Sequence, residues 1–301
     1  MVISAQTTVE NLLTQNPRLD EQLDRIGDTL QGFVRAVFAS QGRPGIRARN
    51  FLNGVWLGHP LHAVLTDVPI GAWTGAMLFD YLGALTGSRT LKGAGDWSVG
   101  LGVLSGIAAG AAGLADYSEM SGEPRRFGTA HAILNVAGLV LFAMSLFRRL
   151  TGRRAEAIPL STLGYAFTFL AADLGGTMVY RYGATINRQA WKGGEGPRQF
   201  KAVLPSSELE DGQKRSVQLN GVEILLARVN GRVYAIGNTC THEGCPLAEG
   251  ELVGPTIRCG CHGSEFSLAD GGVLNGPASI PEPSFDVREQ KGQIEVRRRP
   301  Y

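Results

Sequence analysis

Between residues 58 and 182 the chain carries four apolar stretches, at about 60–85, 97–117, 129–150 and 158–182. Each is close to the roughly 20 residues an α-helix needs to cross a bilayer. Within hydrocarbon every backbone polar group must be bonded inside the segment or its barrel, so stretches of this length and spacing fold as helices. Polar punctuation separates them: 86–96 with Arg89 and Lys92, 118–128 with Arg125 and Arg126, and 148–157 with four arginines. Gly71 and Gly75 stand four apart, as do Gly102, Gly106 and Gly110, the spacing at which membrane helices approach closely. The reading is a bundle of four transmembrane helices over 58–183. The overall apolar fraction of 44% hides this, because most charges lie outside the stretches. A net charge of +2 is too small to argue for nucleic acid.

Residues 1–57 are polar. Leu19, Leu23, Ile26, Leu30, Phe33 and Val37 recur every three or four positions, which predicts one helix with an apolar face. That face either packs on the rest of the protein or lies on a membrane surface. The start, MVISAQTTVENLL, lacks a basic opening followed by an apolar core, so no cleavable signal peptide is expected. Residues 184–198 read as a linker, broken by Gly193, Gly194, Gly196 and Pro197. From 199 to 301 the pattern changes to short strands. Val222–Val229 and 232–236 flank Asn230-Gly231, a two-residue hairpin signal, and Asn220-Gly221 and Asp270-Gly271-Gly272 add further turns. The fold class is therefore multi-domain: an all-α four-helix transmembrane bundle followed by an all-β domain.

All four cysteines fall between 240 and 261. A disulfide-stapled fold would spread them out, so the clustering points to a metal site. Cys240-Thr-His242 and Cys259-Gly-Cys261-His262 are separated by the 16 residues 243–258. Two thiolate–imidazole pairs on two loops suit a 2Fe–2S centre with thiolates on one iron and imidazoles on the other, which raises the reduction potential. Zinc also takes Cys2His2 ligands, but Cys-x-His is poor zinc-finger spacing.

These motifs resemble the Rieske family, over roughly residues 199–297. The resemblance implies a 2Fe–2S cluster with Cys240 and Cys259 on one iron, His242 and His262 on the other, and a third loop over it carrying Pro277, in Asn275-Gly276-Pro277. In Rieske proteins of cytochrome bc complexes a cysteine pair matching Cys245 and Cys261 forms a disulfide between the loops. Ser264 matches a residue that hydrogen-bonds a cluster sulfur. Phe266 stands where the bc type has a tyrosine, and Glu243 where it has a leucine that meets the quinone. Both changes imply a lower potential and argue against a bc-style quinol contact, while the compact length resembles a Rieske ferredoxin.

The other histidines are His59, His62 and His131. With four spans, His59, His62, His131, Asp67, Asp116 and Asp173 gather in the half of the bundle on the face shared with both termini. Intramembrane ionisable groups usually face the bundle interior and mark a functional path. Three arrangements fit: bis-histidine ligation of haem b, a quinone pocket, or histidines that merely cap helix starts at the interface. The His-Pro-Leu-His start at 59–62 also resembles a family of four-span membrane domains, some joined to Rieske domains, over about 55–183; it brings no established chemistry. The excess of Lys and Arg on the terminal face leans towards cytoplasmic termini, while a disulfide leans the other way. The expected protein is a multi-pass, membrane-anchored electron carrier passing single electrons between its cluster, a quinone or haem in the bundle, and a redox partner protein. Alternatives are a quinol or small-molecule oxidoreductase with its site in the bundle, and a redox-sensing or anchoring subunit.

Overall fold

The computed structural model describes residues 16–188, 190 and 196–299. Residues 1–15, with the opening assessed for a signal peptide, and Gly193 and Gly194 of the linker lie outside the described residues. The helices are α1 (Pro17–Ser40), α2 (Arg43–Leu52), α3 (Leu61–Leu65), α4 (Asp67–Thr86), α5 (Arg89–Tyr117), α6 (Gly122–Leu150) and α7 (Arg154–Tyr180). The chain divides into two compact units. One comprises Met1–Ser40 with Leu61–Ala184, the other Gln41–Pro60 with Thr185–Tyr301.

In the first unit α5, α6 and α7 are long and apolar enough to cross a membrane. The first apolar stretch differs from the expected single span. It breaks at Thr66 into α3 and α4, and α4 carries Asp67 and Asp80 within its 20 residues. Of the glycines picked out by spacing, Gly102 and Gly106 face Trp73, where an added Cβ would strike the indole. Trp73 stacks on Phe142 with centroids 4.2 Å apart. The backbones of α6 and α7 meet at Gly138 and Gly164, where a Cβ on either would come within 3.1 Å of the other's carbonyl oxygen. Gly71 and Gly110 have open space instead. Leu104, Val136 and Phe169 are exposed, as side chains facing lipid are.

A buried ion network, which the sequence reading missed, ties four of these helices. Arg149 donates to Asp80 and, at 2.8 Å, to Asp96, while Arg154 pairs with both aspartates. Asp80 is fully buried. The two positive and two negative charges balance, the condition under which buried charge is tolerated.

Helix α1 forms as the periodicity predicts, but its buried residues are Leu23, Gly27, Gln31 and Val34. Ile26, Phe33 and Val37 are exposed. The packed face is partly polar because it closes the turn after α5: Gln31 Nε2 donates at 2.8 Å to the carbonyls of Tyr117 and Met120, and Arg35 donates at 2.8 Å to that of Ser118. Carbonyls at and just beyond a helix end lack the next turn's N–H donors, and these side chains supply them.

In the second unit the strands are β1 (Lys201–Pro205), β2 (Lys214–Leu219), β3 (Val222–Val229), β4 (Arg232–Gly237), β5 (Glu251–Val253), β6 (Thr256–Arg258), β7 (Glu265–Ser267), β8 (Val273–Asn275), β9 (Ser284–Gln290) and β10 (Gln293–Arg298). They form a six-stranded sheet ordered β1-β10-β9-β4-β3-β2 and a four-stranded sheet ordered β5-β6-β7-β8. The β3–β4 hairpin turns on Asn230 and Gly231 at φ 53° and 75°, the left-handed pair that a two-residue turn requires. Strand β3 is buried on both faces. Leu225 and Ala227 join a core with Ile236, Ile257 and Phe266, while Ile224 and Leu226 join one with Phe285, Ile294 and Val296. The first core also contains Cys240 and Cys259.

Candidate metal centre

Two loops of the second unit repeat one backbone design. In the first, after β4, the Cys240 N–H donates to the Cys245 carbonyl at 2.8 Å and the Gly244 N–H to the Cys240 carbonyl at 2.9 Å. In the second, between β6 and β7, the Cys259 N–H donates to the Ser264 carbonyl at 2.8 Å and the Gly263 N–H to the Cys259 carbonyl at 3.1 Å. Gly244 and Gly263 hold φ of 85° and 74°, which is why glycine follows each cysteine four positions on. The first loop is anchored further by the Thr241 N–H, which donates to Glu282 Oε1 at 2.8 Å, and by Asn238, which accepts from the Ala248 N–H at 2.8 Å.

The four residues singled out by spacing come together across these loops. Cys240 and Cys259 are 1% and 3% exposed, and their thiols hydrogen-bond each other. That shared proton and the loop amides hold the Cys259 thiol down to about 6, while the same bond and burial push the Cys240 thiol well up. The rings of His242 and His262 stand 5.0 Å apart and nearly perpendicular. Burial pulls His242 down to about 4, so its imidazole is neutral near pH 7. Its Nδ1 is buried without a hydrogen-bond partner, a costly arrangement unless something else takes the lone pair. His262 Nε2 lies 3.7 Å from Glu243 Oε2.

Cys245 and Cys261 are joined by a disulfide between the two loops. Both disulfide sulfurs lie within 4.8 Å of the Cys259 sulfur, but being bonded to each other they leave only Cys259 of the three as a thiol. A third loop carries the cis Gly276–Pro277 bond. Its Ala278 N–H donates to Ser264 Oγ at 3.0 Å, which leaves the hydroxyl hydrogen of Ser264 for another acceptor. Phe266 is fully buried in the same core as the thiols. The segment read as linker also reaches this site: the Arg188 N–H donates to the Thr241 carbonyl at 3.4 Å, and its Cβ lies 3.7 Å from where a side chain on Gly244 would begin.

In the first unit His62 and His131 come together, with ring centroids 6.3 Å apart and planes at 85°. His62 Nδ1 donates to the Ala109 carbonyl at 2.8 Å and His131 Nδ1 to that of Ala171 at 2.7 Å. Gly113 and Gly175 leave room for these rings. Asn135 Nδ2 is 3.0 Å from His131 Nε2. The expected gathering is otherwise incomplete. His59 is exposed and belongs to the other unit, and Asp67 and Asp173 are exposed on α4 and α7. Asp116 follows Gly113 by three residues on α5. Helical position alone gave the depth of these groups but not the side to which they turn.

Two sheets with paired Cys/His loops that bring two buried thiols and two imidazoles together define an iron–sulfur-binding β-domain. Residues 199–286 match the family model described as "Rieske [2Fe-2S] domain", and residues 58–188 match "Predicted membrane protein (DUF2231)". Ferredoxin CarAc of Metapseudomonas resinovorans is 32% identical over 95 residues, covering 31% of this chain and 89% of that protein. Sulredoxin of Sulfurisphaera tokodaii is 30% identical over 105 residues, covering 32% of this chain and 96% of that protein. Apoptosis-inducing factor 3 of Homo sapiens is 35% identical over 96 residues, 32% of this chain, which spans only 16% of that relative's length. The chain belongs to the Rieske [2Fe-2S] family through its carboxy-terminal domain. It joins an electron-transfer module of the ferredoxin kind to a membrane domain.

Proposed function

We propose that this protein is a membrane-anchored one-electron carrier whose cluster is held by Cys240, His242, Cys259 and His262. The observation that carries the ligand set is the buried, unpartnered Nδ1 of His242 beside two buried thiols. The donor set fits: two thiols sharing one proton, and a neutral imidazole with its lone pair free. When bound, the 2Fe–2S group supplies a centre that gains and loses single electrons. Around it the chain supplies the rest. The disulfide keeps the two loops in register. Ser264, accepting from Ala278, keeps its hydroxyl hydrogen to give and would raise the potential by donating it to the group. Glu243, beside His262, would lower the potential through its negative charge. The cysteines are sealed while the His262 side chain keeps 19% of its exposure, so a redox partner protein reaches the cluster from the histidine side.

The membrane domain anchors the carrier, in our reading with the 60–85 stretch as a fourth, broken span and both termini on the cytoplasmic side. The His62–His131 pair is the place for a membrane-side redox group, a quinone or haem b. What supports it is that both Nδ1 atoms are fixed as donors to backbone carbonyls, which makes Nε2 the accepting nitrogen of each ring; that of His62 is left for a ligand, while that of His131 accepts from Asn135. Low-temperature EPR of dithionite-reduced protein tests the carrier; a Rieske-type signal is expected, and its absence in iron-replete protein overturns the reading. A visible spectrum of the same sample shows whether haem accompanies the cluster.

A further inference from the structure

Residues 50 and 53 belong to neither matched family segment, yet they hold the third loop of the cluster site. Asn50 and Asn53 lie at the end of α2 and just beyond it. Asn50 Oδ1 accepts from the Gly276 N–H at 3.0 Å, across 226 positions of sequence. Asn53 Nδ2 donates to the Pro277 carbonyl at 3.4 Å, and Arg49 Nη2 donates to Asn275 Oδ1 at 3.4 Å. Three consecutive residues of the proline loop are thus held by one turn of helix.

The fit is close and specific. Asn53 is fully buried, and within that burial its Nδ2 is bonded to the Pro277 carbonyl. A Cβ on Gly276 would lie 3.1 Å from Asn53 Nδ2 and 3.4 Å from Asn50 Oδ1, so glycine lets the loop backbone come against the two amides. From the loop the contact continues to the cluster site, because Ala278 donates to Ser264 Oγ. A shift of the proline loop therefore turns the Ser264 hydroxyl.

We infer that Asn50 and Asn53 are positioning residues for the cluster: they clamp the proline loop, and through Ala278 they set the hydrogen bond that Ser264 gives to a cluster sulfur. Supporting groups of this kind, which never touch the metal, tune metal sites strongly. The inference rests on the cluster assignment above. Its particular content is that the tuning comes from the segment just before the membrane domain in sequence.

The test uses full-length protein carrying its cluster, with EPR line shape, midpoint potential and the rate of cluster bleaching in chelator as readouts. Asn50→Ala with Asn53→Ala is expected to alter the EPR line shape, displace the midpoint potential and bleach severalfold faster. Asn50→Asp, which keeps the acceptor for Gly276, retains wild-type behaviour on its own. Gly276→Ala, which pushes the loop off the clamp from the other side, reproduces the double variant. Arg47→Ala, on an exposed position of the same helix, changes nothing. A double variant and a Gly276→Ala protein that both match wild type in potential, line shape and bleaching overturn the clamp. A wild-type protein with no Rieske signal instead overturns the cluster assignment.

Discussion

The chain contains two imidazole pairs with nearly the same interplanar angle, one in each unit, and they differ in which nitrogen the protein has already bonded. In the membrane unit both Nδ1 atoms donate to backbone carbonyls. In the Rieske unit the Nδ1 of His242 is buried with no partner. The first arrangement fixes a tautomer and exhausts Nδ1; the second holds Nδ1 in reserve. The ring spacings differ as well, 6.3 Å against 5.0 Å. Buried polar groups are nearly always satisfied, and in the membrane unit the charges of Asp80 and Arg149 follow that rule. A buried imidazole nitrogen with no partner, beside two buried thiols, is a nitrogen free to serve as a ligand.

The sharpest way to break this contrast is to exchange the losses. His242→Ala removes a proposed iron ligand, and the Rieske-type EPR signal is expected to vanish. His131→Ala leaves that signal at full intensity and changes only what the membrane domain binds. A cluster signal that survives His242→Ala would remove the meaning given to the unpartnered nitrogen.

A smaller effect is expected from the disulfide. Cys245 and Cys261 are 16 positions apart, and a crosslink closing a loop of that length stabilises by about 3 kcal/mol in the chain-entropy model. Replacing both by serine should therefore leave the cluster bound but lower the guanidinium concentration at which it bleaches. Reduction of the wild-type protein should lower it by a similar amount. Equal midpoints for the oxidised, reduced and Ser/Ser proteins would show that the loops are held by their backbone bonds alone.

Much of the Rieske unit was legible because its information is local. The spacing within each ligand motif and the Asn-Gly turn depend on neighbours within a few residues. The apolar stretches were legible for the same reason, but their details were not. A run of apolar residues does not show that it breaks at Thr66 into two helices, nor that Asp80 is neutralised by Arg149 from 69 positions away. The clamp of Asn50 and Asn53 on Gly276 and Pro277 left no signal, since two asparagines in a polar segment look like surface. Periodicity predicted α1 and the burial of Leu23, but not of Gln31, because the carbonyls that Gln31 satisfies belong to a distant turn.

The packed side of α1 gives the smallest effect and a direct test of how the membrane unit handles charge. Asp24 accepts from Arg126 at 2.8 Å and from Arg125 at 2.9 Å. The hydrogen bond from Arg126 leads the causes holding its carboxyl below the usual 3.8. A carboxylate lowered on folding contributes stability above its unfolded pKa and loses it as pH falls through the folded value. The docking of α1 should therefore be intact near neutral pH and weaken in acid below about pH 4. Proteolysis between α1 and α2 reads that docking directly. Asp24→Asn should be cut somewhat faster than wild type near neutral pH, and the gap should close in acid, where both carry an uncharged side chain. The absence of any gap near neutral pH would mean that α1 is held by Gln31 and Leu23 rather than by charge. The paired groups of the membrane unit would then be satisfied without contributing to its stability.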